Sequence, residues 1–103
     1  KGVLKPVIRE SCTHVFHQYA VRITPECEMT RDQFAEYLRM KGVGTAIHYP
    51  VPVHEQPVYR GTIKGSPCPV SQKVASEILS LPVYPSLTPD ERIRVCSVIN
   101  GDT

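Results

Sequence analysis

The chain has 103 residues, 41% of them hydrophobic and 21% charged, with a formal net charge of +2. That length fits one domain, able to bury roughly 65% of the surface its unfolded chain exposes. Charges of both signs are mixed along the sequence, so no basic stripe offers a nucleic-acid footprint, and no apolar run approaches the about 20 residues that a membrane-spanning helix needs.

Residues 1–13 show no periodic pattern and read as a lead-in; KGVLKPVIRE lacks the apolar segment of a signal peptide. Residues 15–23 (VFHQYAVRI) are rich in β-branched and aromatic side chains and predict a strand, closed by Thr24, Pro25 and Glu26. Thr30 and Gln33 have the spacing of a capping box. The helix that follows places Phe34, Ala35, Tyr37, Leu38 and Met40 on one broad inner face, and Gly42 supplies its C-terminal cap. Residues 44–49 (GTAIHY) predict a second strand, stopped by Pro50.

Residues 50–67 form a long irregular segment, and loops of that length in small domains are commonly functional or mobile. Pro69 suits the first turn of a second helix, with Val70, Val74, Ala75, Ile78 and Leu79 inward. Residues 81–85 (LPVYP) predict a short strand, at an edge because proline cannot donate to a ladder. Thr88, Pro89, Asp90 and Glu91 form a strong helix start: cap, proline at the first position, then two acids. Ile93, Cys96 and Ile99 are expected inward on this last helix, which ends near Asn100 and Gly101. The order describes an α+β domain in two layers, a small and mostly antiparallel sheet with about three helices packed on it.

The chemistry-bearing residues are sparse. His14 and His17 are three apart on or near a strand, where side chains alternate faces, so they do not converge on a metal. Cys12, Cys27, Cys68 and Cys96 have no metal-ligand spacing; they are expected as reduced, half-buried thiols, matching the cytoplasm. There is no GxSxG elbow, and the Gly42-Val43-Gly44 run follows a helix and lacks a third glycine, so no phosphate loop is present. His17 and Tyr19 are expected in the core, Arg22 solvated or ion-paired, and Tyr84 packed between prolines. The stretch HYPVPVH, residues 48–54, is the exception. Pro50 and Pro52 hold it extended and stiff, presenting His48, Tyr49 and His54 at fixed positions. A ligand-facing edge and a purely structural segment remain equally open on this evidence.

Three stretches together carry a resemblance. HVFHQYAVRI, then RDQFAEYLRMKGVGTAIHYPVPVHEQPVY, then LSLPVYPSLTPDERIRVCSVI resemble, in this order and across nearly the whole chain, the C-terminal small domain of the DegT/StrS nucleotide-sugar aminotransferases. These are fold-type I pyridoxal-phosphate enzymes. The most telling motif is HYPxPxHxQPxY, residues 48–59. The resemblance implies transamination by the intact enzyme. Pyridoxal phosphate sits on a lysine as a Schiff base, an amino acid (usually glutamate) gives its amino group, and a keto group of a nucleotide-linked sugar receives it. It further implies a homodimer with the active site at the subunit interface; the mixed charges and short apolar runs leave no nucleic acid or membrane partner expected.

None of Lys1, Lys5, Lys41, Lys64 or Lys73 has the context of the Schiff-base lysine, which in the family lies upstream in the large domain with the aspartate that pairs the pyridine nitrogen. The chain is therefore expected to form a single domain over residues 1–103, about the last quarter of an enzyme. On its own it should bind no cofactor and be inactive; a start at Lys1 without Met agrees with an excised piece. The resemblance assigns His48 and Tyr49 as substrate-side contacts, His54 as a secondary one, and His17 as reaching the site from the neighbouring strand. It assigns no catalytic, cofactor-binding or metal-binding residue. Two positions depart from the family pattern: Glu55 replaces a residue that is often apolar, and Gln72 one that is commonly Glu. The alternative is a free-standing binding or interaction module that keeps this fold without the chemistry. The identity of the sugar and the carbon aminated lie beyond the sequence.

Overall fold

A computed structural model describes residues 1–62 and 67–101. The elements run β1 (Val3–Leu4), β2 (Tyr19–Ile23), α1 (Arg31–Met40), a single 3-10 turn (Val53–Glu55), α2 (Pro69–Glu77), β3 (Ile78–Leu81) and α3 (Pro89–Asn100). The strands form one open antiparallel sheet in the order β1-β2-β3, so the expected α+β domain is what is found.

The register follows the side-chain pattern. Tyr19, Val21 and Ile23 lie opposite Leu81, Leu79 and Val3 respectively, and all belong to or pack against the core. Phe34 and Leu38 of α1, Val43 beyond it and Val98 of α3 complete the buried cluster. Alternation places Arg22, Ile78 and Ser80 on the other side of the strands. There Arg22 is held by Glu77, with Nε and an Nη each bonded to Oε2 at 2.9 and 2.6 Å. Arg31 ties α1 to the α2–β3 junction by donating to the carbonyls of Ala75 and Ile78, both at 3.1 Å.

All three helices start where their signals place them. Thr30 and Thr88 both make full capping boxes, with Gln33 and Glu91. Gly42 and Gly101 take the left-handed conformation beyond the ends of α1 and α3, at φ 81° and 79°.

The strands were harder to place. β2 begins at Tyr19 rather than residue 15, because its partner β3 stops at Leu81, before a proline with no N–H to continue the ladder. Residues 44–49 form no strand: only Ala46 bridges Ser80, through bonds of 3.1 and 2.7 Å. The expected strand at residues 81–85 lies three residues earlier. Ile78 and Leu79 leave α2 and enter β3, where pairing with Arg22 and Val21 outweighs continuing the helix. β1 had no sequence signal. It is anchored by the Gly2 carbonyl, which accepts from the Thr24 N–H and hydroxyl at 2.8 and 3.1 Å.

Several inward assignments also move. Met40 and Val70 are exposed, as are Ile93 (60%) and Cys96; α3 turns Ile99 to the core as expected, and with it Val95 and Val98. Tyr84 is half-exposed rather than packed away. Of the cysteines only Cys27 is half-buried; Cys12, Cys68 and Cys96 are exposed. Residues 63–66 of the irregular segment, Lys64 among them, lie outside the described residues.

Candidate functional site

The free edge of β3 is where this fold gathers polar chemistry. The Ala46–Ser80 bridge brings the segment that follows α1 alongside the strand, and two residues later the His48 ring reaches back to it. His48 Nδ1 and Ser80 Oγ are 3.0 Å apart, with Ser80 itself only 6% exposed. The residues before β2 approach the same place from the other side, carrying His17 and Gln18. Leu87 and the outer face of α3 close the floor. The result is an open groove of about 530 Å³, whose walls include His17, His48, Ser80, Tyr84, Glu91 and Arg94.

Two of the four sequence-predicted site residues, His17 and His48, therefore share one groove. His17 is not in the core as its residue pattern suggested. It falls before the first residue of β2 and is exposed, because the strand that would have buried it does not extend that far. Tyr49 stands outside the groove, 71% exposed, with its ring edge-on to His48 at a centroid distance of 5.5 Å and an interplanar angle of 80°. The His48–Tyr49 peptide bond is cis.

His54 also lies away from the groove, in the 3-10 turn. Its Nε2 is buried, without a hydrogen bond among the described residues, and 3.8 Å from Glu55 Oε1. The same Glu55 oxygen accepts from Gln72 Nε2 at 2.5 Å, so the two positions that depart from the family pattern meet each other and tie the irregular segment to α2.

The charged residues of the groove are already committed. Glu91 accepts from the Thr88 N–H and hydroxyl at 2.8 and 3.0 Å, and Arg94 donates to the Lys41 carbonyl at 3.2 Å. His48 and His17 are thus the imidazoles left to meet a ligand. Ser80, Glu91 and Arg94 were missed in the sequence. Ser80 did carry a signal, as the lone hydroxyl between two leucines of an apolar strand; Glu91 read only as part of the helix start, and Arg94 carried no signal.

Among the described residues no lysine lines the groove, and Lys1, Lys5, Lys41 and Lys73 are exposed elsewhere. Among the described residues no group of three or more His, Cys, Asp and Glu gathers as a metal site. The described residues do not fit a Schiff-base cradle for pyridoxal phosphate.

The structure is thus an antiparallel α+β domain with an imidazole-lined groove at its sheet edge. Residues 2–100 match the DegT/DnrJ/EryC1/StrS aminotransferase family, and the chain belongs to that family. A dTDP-3-amino-3,6-dideoxy-alpha-D-galactopyranose transaminase of Aneurinibacillus thermoaerophilus is 34% identical over 92% of this chain and 24% of its own length. A pleiotropic regulatory protein of Geobacillus stearothermophilus is 39% identical over 84% of this chain and 22% of its own. The crystal structure of S. venezuelae DesV in complex with a ketimine intermediate superimposes with a TM-score of 0.86 at 31% identity, over 98% of this chain and 26% of that one. The chain spans about a quarter of the length of the curated relatives it matches.

Proposed function

We propose that this chain is the C-terminal small domain of a pyridoxal-phosphate-dependent aminotransferase that moves an amino group, from glutamate, to a keto group of a nucleotide-linked sugar. The observation that carries the reading is the family match over residues 2–100 coinciding with a groove whose imidazoles, His17 and His48, come from the motifs of that family. The cofactor supplies the electron sink when bound, and its lysine belongs to another part of the enzyme. This domain's part is to bind and orient.

In this reading His48 is the principal substrate contact and His17 supports it from the opposite wall. Tyr49, exposed beside the His48 ring, meets substrate or a neighbouring domain at the groove's rim. His54 acts from further out, through the Glu55–Gln72 link that holds the loop. The working enzyme is proposed to be a homodimer. The cytoplasm is the proposed compartment, in keeping with the unpaired and exposed thiols of Cys12 and Cys96.

The test is His48→Ala in the intact enzyme. Sugar turnover should fall by about tenfold or more, the loss of at least one polar contact to the reacting substrate, while pyridoxal phosphate still binds. Unchanged steady-state kinetics would remove His48 from the site.

A further inference from the structure

The Ser80 hydroxyl decides which nitrogen of His48 carries the proton. The backbone N–H and C=O of Ser80 are both engaged by Ala46, at 2.7 and 3.1 Å. Its Oγ meets His48 Nδ1 at 3.0 Å and, among the described residues, no other partner. Two arrangements are open to such a pair. If Nδ1–H donated to Oγ, the hydroxyl hydrogen of a nearly buried serine would be left without an acceptor, which is the costly error of buried polar groups. If the hydroxyl donates to Nδ1, both groups are satisfied. Neutral imidazole has one N–H, so the proton then lies on Nε2. That nitrogen bonds to none of the described residues.

We propose that Ser80 is a positioning residue that holds His48 as its Nε2–H tautomer, so that the groove presents an N–H donor to an oxygen acceptor of its ligand. The acceptor class is a carbonyl or hydroxyl oxygen of the sugar. This last step rests on the aminotransferase reading; the tautomer does not. A donor at this point discriminates. A ligand oxygen satisfies it, whereas an amine that offers only N–H groups would face it unpaired.

The experiment has two arms. In the 103-residue chain with ring-¹⁵N-labelled histidine, at alkaline pH where free imidazole is neutral, His48 should show a pyrrole-type Nε2 and a pyridine-type Nδ1. His48→Gln assigns the signal. Ser80→Ala should release the ring to a tautomer mixture, and Ser80→Thr should restore the single form. An Nδ1–H tautomer in the unsubstituted chain overturns the proposal.

In the intact enzyme, Ser80→Ala should raise KM for the sugar by about tenfold, the loss of one well-placed hydrogen bond, without changing KM for glutamate. Ser80→Thr should recover the KM, and an unmoved sugar KM overturns the role. If the intact enzyme aminates no nucleotide sugar, the functional reading falls. The tautomer signal still decides for or against Ser80.

Discussion

Glu77 is 5% exposed and both Arg22 bonds end on its Oε2, while the Arg22 side chain keeps 36% of its surface in water. Removing the carboxylate strands a guanidinium that solvent can partly recover, so the cost falls below that of breaking a fully buried pair. Glu77→Gln is expected to lower stability by about 1–2 kcal/mol in urea unfolding, with an unmoved midpoint contradicting it. The Arg39–Glu36 pair behaves differently because it sits on the solvated face of α1. Hydrogen bonds from Arg39, at 2.7 and 2.6 Å, hold the Glu36 carboxyl below its ordinary 4.5. A carboxyl depressed by folding stabilises the native state above its unfolded pKa, and that contribution is lost as pH falls through the folded value. A carboxyl ¹³C titration of Glu36 should have its midpoint below 4.5 and move upward in Arg39→Ala. At this scale the candidate site was half legible: His48 and His17 could be named from their motifs. Their convergence, and the partner of His48, depended on a strand register that no local pattern reveals.

Helix starts could be read more fully than strand bounds, for a physical reason. Each helix start rests on contacts within four residues: Thr30 with Gln33, Thr88 with Glu91, proline in the first turn of α2 and α3. Such signals are complete in the sequence itself. Strand ends depend on a partner far along the chain. β2 begins only where β3 ends before a proline, β3 recruits Ile78 and Leu79 from what local pattern assigns to α2, and β1 exists because Gly2 and Thr24 bond across the chain. The same distinction governs α3, whose start was clear but whose inner face was set by tertiary packing of Val98 rather than Ile93. The capping claim can be checked directly. Thr88→Ala removes the acceptor for the Glu91 N–H at 3.2 Å and should cost about 1 kcal/mol, read as a lower urea midpoint without a change in slope. Equal stability would show that the box contributes nothing to α3.

The surface of the whole molecule suits a piece that works against other surfaces. Tyr49, Val51, Val53, Val58 and Tyr59 are exposed along one stiff segment, and Val7, Ile8 and Val15 are exposed before β2. Scattered single apolar residues need no explanation, but a run of them along one segment does. Within a larger aminotransferase that segment would face the cleft, and in a free-standing module it would face water. The mass of the native polypeptide carrying this sequence, captured from its source with an antibody raised to the chain, separates the two most directly. A polypeptide several times heavier than the 11.5 kDa of this chain is expected, in line with relatives of which it spans about a quarter. A native polypeptide of 11.5 kDa would contradict the assignment and leave a binding module with the fold of the family.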